Sequence, residues 1–161
     1  MTAAEIQSLL HLEPLEPEGG FWKRTYSAPH SLDTPQGRRL ASSAIYYLLA
    51  PGTFSEMHRM ASDEIFHFYQ GDPVEMLQLH PDGLSAHFIL GPDLSHGQHV
   101  QLLVPAGVWQ GCHLIEGGEA ALMGCTVCPG FEYEDYQGGV FSELSAQWPQ
   151  EAETIRALTR R

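Results

Sequence analysis

The sequence predicts an all-β chain, an antiparallel sandwich or jelly roll framed by two short helices. Three observations carry that expectation. Short runs rich in β-branched and aromatic residues recur through the middle of the chain. Sixteen glycines and eleven prolines punctuate those runs. The connections left between them are too short for parallel crossovers, which need about a dozen residues or more. Closing such strands on themselves, or folding them into two packed sheets, is the economical way to bury their apolar faces.

The first helix is expected over residues 2–11, with Ile6, Leu9 and Leu10 at helical spacing. Thr2 suits an N-cap, because its hydroxyl can accept from an orphan backbone N–H, and Glu5 stands three residues on, as in a capping box. Strands are expected at 21–27, 43–49, 55–60, 65–70, 74–80, 85–90, 99–104, 109–114 and 120–127. Pro81-Asp82-Gly83 marks the clearest hairpin turn: proline presets φ for the first turn position and glycine accepts positive φ. A second helix is expected over 149–159, with Pro149 in its first turn, Glu151 and Glu153 near its start and Arg156, Arg160 and Arg161 near its end. Ile155 and Leu158 supply its apolar stripe. Nothing resembling a linker or repeat divides the 161 residues, so one domain is expected, with its barrel at about 21–136.

Charge narrows the function. Twenty acidic residues against eight basic ones give a formal charge of −12. Nucleic-acid binders need a basic surface to displace counterions, and so do proteins that dock on anionic lipid. Neither partner is expected. The longest apolar run, 44–50, falls far short of the ~20 residues that span a bilayer. Three cysteines are an odd number and too few for a disulfide scaffold. A reduced, cytoplasmic protein is the expectation.

The segment Gly52 to Gly71 has an informative spacing. Gly52 is followed at intervals by His58, Met60, Glu64 and Gly71. Residues two apart on a strand share a face, so His58 and Met60 both point inward; a turn through 61–63 lets Glu64, Phe66 and Phe68 line the same interior from the next strand. Pro105-Ala106-Gly107 then makes a tight turn ahead of Gln110. Together with Glu18-Gly19-Gly20-Phe21, Arg24, Tyr26 and the stretch Gly124 to Glu132, these motifs resemble the cupin superfamily, and within it the cupin 5 subfamily, a domain of unknown function. The resemblance covers nearly the whole chain. It implies an RmlC-like jelly-roll barrel (a double-stranded β-helix), a small-molecule pocket inside it and a homodimer. It implies no particular reaction.

Cupins that use a metal offer three imidazoles and a carboxylate. Here Met60 and Gln110 stand at two of the imidazole positions, leaving His58 and Glu64. A thioether is a weak, soft ligand and an amide oxygen a poor one, so no common divalent ion suits the set. A metal-free barrel, with no cofactor, is the favoured expectation; a divalent metal held by His58, Glu64 and Gln110 is the alternative. His67, three residues after Glu64, belongs to the opposite face of its strand. Cys125 and Cys128 form a lone C-x-x-C whose members face opposite ways on a strand.

Without a metal, the interior offers His58 as a base, Glu64 as a carboxyl group and Gln110 as an amide able to donate and accept. Phe66, Phe68 and Tyr46, or its neighbour Tyr47, would form aromatic walls, with Met60 beside them. This is the makeup of a small-ligand pocket. By analogy with metal-free sugar-nucleotide epimerases of related folds, His58 would abstract a proton beside a carbonyl, Glu64 or Asp63 would orient it, and Tyr133 or Tyr136 would return a proton. Arg24 is a candidate clamp for a carboxylate or phosphate, or else a surface ion-pair partner of Glu132 or Asp135. The expected function is therefore binding of a small polar metabolite, sugar or nucleotide-like, with isomerase or epimerase chemistry. A binding module without turnover is one alternative and a metal-dependent enzyme such as a dioxygenase another.

Overall fold

The computed structural model describes residues 1–160. Helix α1 (Ala3–Leu10) opens the chain. Its capping box forms as the sequence predicts: Thr2 Oγ1 accepts from Glu5 N–H at 3.2 Å, and Glu5 Oε2 accepts from Thr2 N–H at 2.8 Å. The strands follow as β1 (Glu13–Pro14), β2 (Phe21–Ser27), β3 (Ser31–Thr34), β4 (Gly37–Leu40), β5 (Ser43–Leu49), β6 (Phe54–Met60) and β7 (Asp63–Gly71). Then come β8 (Val74–Leu79), β9 (Ser85–Leu90), β10 (Gln101–Val104), β11 (Trp109–Leu114), β12 (Ala121–Cys128) and β13 (Tyr136–Gly138). The chain closes with α2 (Phe141–Gln147), a 3₁₀ turn over Pro149–Glu151 and α3 (Ala152–Ala157).

Two sheets face each other as an antiparallel jelly-roll barrel. One runs in the order β1-β2-β5-β12-β7-β10 and the other β13-β6-β11-β8-β9. The paired strands in both are antiparallel. Apolar residues on alternate positions of both sheets fill the space between them, including Tyr47, Leu49, Phe66, Met76, Leu90 and Met123. A second apolar layer lies outside the second sheet, where α2 and α3 lay Leu144, Ile155 and Leu158 on Met57, Leu77 and Leu79. A third lies outside the first sheet, where α1 sets Ile6 against Leu48, Ala120 and Leu122.

Four strands match their expected bounds end to end: β2, β5, β9 and β11. Elsewhere the structure corrects the sequence. The hairpin β3–β4 is mostly exposed along both strands, so it carries no apolar alternation to read. Helix α2 has Val140 at its N-cap position and so no side-chain cap, which removes the usual start signal. The helix expected over 149–159 begins as a 3₁₀ turn and continues as α3, with Ile155 and Leu158 buried as expected. In α1 the covered stripe is Ala3, Ile6 and Leu10, while Leu9 is 66% exposed. Among the described residues no helix is long and apolar enough to cross a membrane.

Candidate functional site

The site forms where β6, β7 and β11 meet. Gln110 on β11 lies opposite His58 on β6 in register. Glu64 belongs to β7 in the facing sheet, and its Oε2 accepts from Gln110 Nε2 at 2.6 Å, a hydrogen bond that spans the barrel interior. All three side chains are buried: His58 is 1% exposed, Gln110 2% and Glu64 7%. Met60 is buried as well, two residues beyond His58 on the inward face.

The His58 ring is held from two sides. Its Nδ1 lies 2.7 Å from the Glu56 carbonyl, which can only accept, so Nδ1 carries the proton and Nε2 is the basic nitrogen of the neutral ring. Tyr136 on β13 stacks on the imidazole with ring centroids 4.9 Å apart and planes 18° apart. The Tyr136 hydroxyl donates to Glu56 Oε1 at 2.9 Å, and Arg160 Nη1 donates to Glu56 Oε2 at 3.1 Å. Arg160 also donates to the carbonyls of Pro17 and Glu18, so the end of the chain ties the loop before β2 to β6. Glu18 in that loop is fixed through its carboxylate, which accepts from Ser55 Oγ at 2.8 Å.

Next to this cluster lies a narrow cavity. Glu18, Trp22, Met60, Glu64, Cys125 and Phe131 are on its wall. The cavity is small, with a volume of about 30 Å³. Ser43, Ile45 and Val127 complete much of the lining, so the walls are mainly apolar with carboxyl groups converging on them. Burial, and then the negative charge of Glu18, push the Glu64 carboxyl up to about 7, against the opposing pull of His58 and the Gln110 hydrogen bond. Burial raises the Cys125 thiol well above its ordinary value, so it stays protonated against Glu64. Burial, with Glu18 and Glu56 next, raises the Tyr136 hydroxyl too, which makes it a poor proton donor.

Several candidate residues stand elsewhere. Tyr133 lies in a 3₁₀ turn, 55% exposed, with its ring against Phe131 at 5.2 Å; Tyr136 takes the place beside His58. Tyr46 is on the outer face of β5, edge-on to Tyr69 at 6.2 Å, whereas Tyr47 points inward and donates from its hydroxyl to the Gly19 carbonyl at 2.9 Å. Phe66 and Phe68 are core residues behind the site, not part of the cavity wall. Arg24 is not on the cavity wall; its Nη2 donates to the Phe131 carbonyl at 3.2 Å, and it is Arg39 that pairs with Asp135. His67 faces outward, 3.1 Å from Thr126 Oγ1. Cys125 is buried and Cys128 exposed, as their spacing requires. Glu18 and Glu56 were missed. Glu56 was legible, since it precedes His58 by two on one strand and so shares its face; Glu18 lay inside the Glu-Gly-Gly-Phe motif, read only for Arg24.

The donor set does not fit a metal of the cupin kind. Gln110 turns its amide N–H₂ rather than its carbonyl to Glu64, and Glu64 favours its protonated form until about neutral pH. Among the described residues, no group of three or more His, Cys, Asp or Glu side chains is arranged to hold an ion.

Comparison with known proteins places this geometry in a family. A hypothetical protein from Leishmania major is 28% identical and superposes with a TM-score of 0.92, over 100% of both chains. A protein of Shewanella oneidensis is 32% identical with a TM-score of 0.90, covering 99% of this chain and 98% of that one. An uncharacterised protein of Saccharomyces cerevisiae is 29% identical over 133 residues, 74% of this chain, which spans 66% of the yeast protein's length. Cupin barrels of 14–17% identity, with TM-scores of 0.57 to 0.61, share the fold alone. The model of the family described as "Cupin superfamily (DUF985)" matches residues 4–139, and the chain belongs to that family.

Proposed function

We propose that the barrel binds a small polar metabolite and that His58 and Glu64 can move a proton on it without a metal. The observation that supports this reading is the cavity itself, whose apolar walls converge on a carboxyl group raised to about 7. Such a group is both donor and acceptor near neutral pH. His58 Nε2 would accept the proton from a carbon beside a carbonyl, and the protonated Glu64 would return one, so that the substrate isomerises with no net oxidation. Tyr136 and Glu56 orient the base in this scheme. Glu64 takes the proton-returning role that analogy with the epimerases assigns to a tyrosine, because the raised Tyr136 holds its proton too tightly.

A second reading, binding without turnover, is favoured by one observation: His58 is buried and is not on the cavity wall. His58→Gln separates the two. Under the first reading it lowers turnover by at least a hundredfold, the usual scale for removing a general base, and leaves the ligand's Kd within a few-fold. Under the second, wild-type protein gives no turnover with any ligand that raises its melting temperature. A thermal-shift screen over sugars and keto acids identifies the ligand, because a molecule that binds only the folded state stabilises it.

A further inference from the structure

The cavity is lined by acceptors without a matching cation. Glu18 and Glu64 are its carboxyl groups, and among the described residues no lysine, arginine or histidine is on its wall. Three arginines are committed elsewhere: Arg24 to the Phe131 carbonyl, Arg39 to Asp135 and Glu134, and Arg160 to Glu56 and the carbonyls of Pro17, Glu18 and Phe54. Gln110, hydrogen-bonded to Glu64, leaves its Oε1 buried with no partner, so a further acceptor lies next to the wall. A buried acceptor without a donor is costly, and the cost is relieved by a ligand that brings one. Trp22 and Phe131 add aromatic surface to the wall, which suits a cationic or hydroxyl-bearing group and offers an anion nothing. Burial is what chiefly raises Glu64, Tyr136, Tyr47 and Cys112, and the negative charge of Glu18 adds to it at all four.

We infer that the ligand enters this cavity by a slender, hydrogen-bond-donating end that is uncharged or cationic, and that Glu18 is the residue that selects it and turns anions away. This rests on the barrel being a ligand site. It removes phosphorylated sugars and sugar nucleotides from the candidates, unless their anionic part stays outside. The narrow bore fits a primary amine or a hydroxyl group at the leading end rather than a whole ring.

The test uses fragments small enough to enter, followed by NMR on the isotope-labelled full chain at constant ionic strength. The probes are ethanolamine, glycerol, acetate and inorganic phosphate, and the signals are the Trp22 indole N–H and the Met60 methyl group. Ethanolamine should move both signals saturably, glycerol more weakly, and the two anions not at all. Glu18→Gln should weaken ethanolamine at least tenfold and narrow its advantage over acetate. Acetate or phosphate moving the same signals in the wild-type protein overturns the charge rule while leaving the ligand site standing, and so does ethanolamine binding that Glu18→Gln leaves unchanged. Silence from all four probes overturns the ligand site and this inference with it. The order of the four probes on the wild-type chain decides the matter even where Glu18→Gln does not fold.

Discussion

Glu64 carries a conflict that a single substitution can expose. Its carboxyl is raised from an ordinary value of 4.5 to about 7 because burial and the Glu18 charge disfavour ionisation. The folded chain therefore holds this proton more tightly than the unfolded chain. The resulting stability is present in full below about pH 4.5 and is lost as pH rises through about 7, a difference on the order of 3 kcal/mol. Glu64→Gln keeps the shape and removes the titration. Melting curves at pH 5, 7 and 9 should show the variant gaining on the wild type at each step; a constant gap between them would mean that Glu64 does not titrate in this window. Arg160 answers to a different logic. Glu56 is buried at 2% exposure and takes one of its hydrogen bonds from Arg160, which is itself partly solvated. Arg160→Gln should cost about 2 kcal/mol, the scale of a charged hydrogen bond, read by urea denaturation. Of these residues the sequence disclosed Glu64, through its spacing from His58. It hid Arg160, because a contact between residues 56 and 160 leaves no local pattern.

At the scale of elements, the helical cover on the second sheet is the part most dependent on packing. Helix α3 has only six residues, too few to be stable alone, and is held by Ile155 at 0% exposure against Met57, Leu77 and Leu79. Leu158 adds a backbone bond, its carbonyl accepting from Met57 N–H at 2.7 Å. Ile155→Ala should cost about 3 kcal/mol, and hydrogen exchange should rise first at Met57, the strand residue beneath it. Uniform protection loss across both sheets would show instead that the cover and the barrel unfold together. Several strands were legible because a glycine or proline stands just beyond them, as Gly91 does after β9, Pro105 after β10 and Pro129 after β12. The hairpin β3–β4 was not, since Arg39 is its one buried residue and what holds that side chain is an ion pair with Asp135, 96 residues away. Tyr46 and Tyr47 show the same limit at one residue's resolution: adjacent tyrosines in an apolar strand give no sign of which one faces in, and the register of β5 against β12 decides it.

For the molecule as a whole, the formal charge of −12 sets both behaviour and expectation. Self-repulsion of that size opposes compaction and is screened by salt, so the melting temperature should rise by a few degrees between about 10 and 200 mM sodium chloride. A falling melting temperature would show that attractive ion pairs such as Arg39–Asp135 outweigh the excess. An antiparallel sandwich or jelly roll could be read from the apolar runs and their punctuation, while the acidic lining of its cavity could not, because Glu18 and Glu64 come from loop and strand positions that meet only on folding. The cysteines add a practical consequence. Cys112 and Cys125 are buried with thiols that resist ionisation, whereas Cys128 is exposed, three residues before the aromatic ring of Phe131. A maleimide dye would therefore couple to the native chain at one place, the exposed end of β12, and label it there with no engineered attachment point.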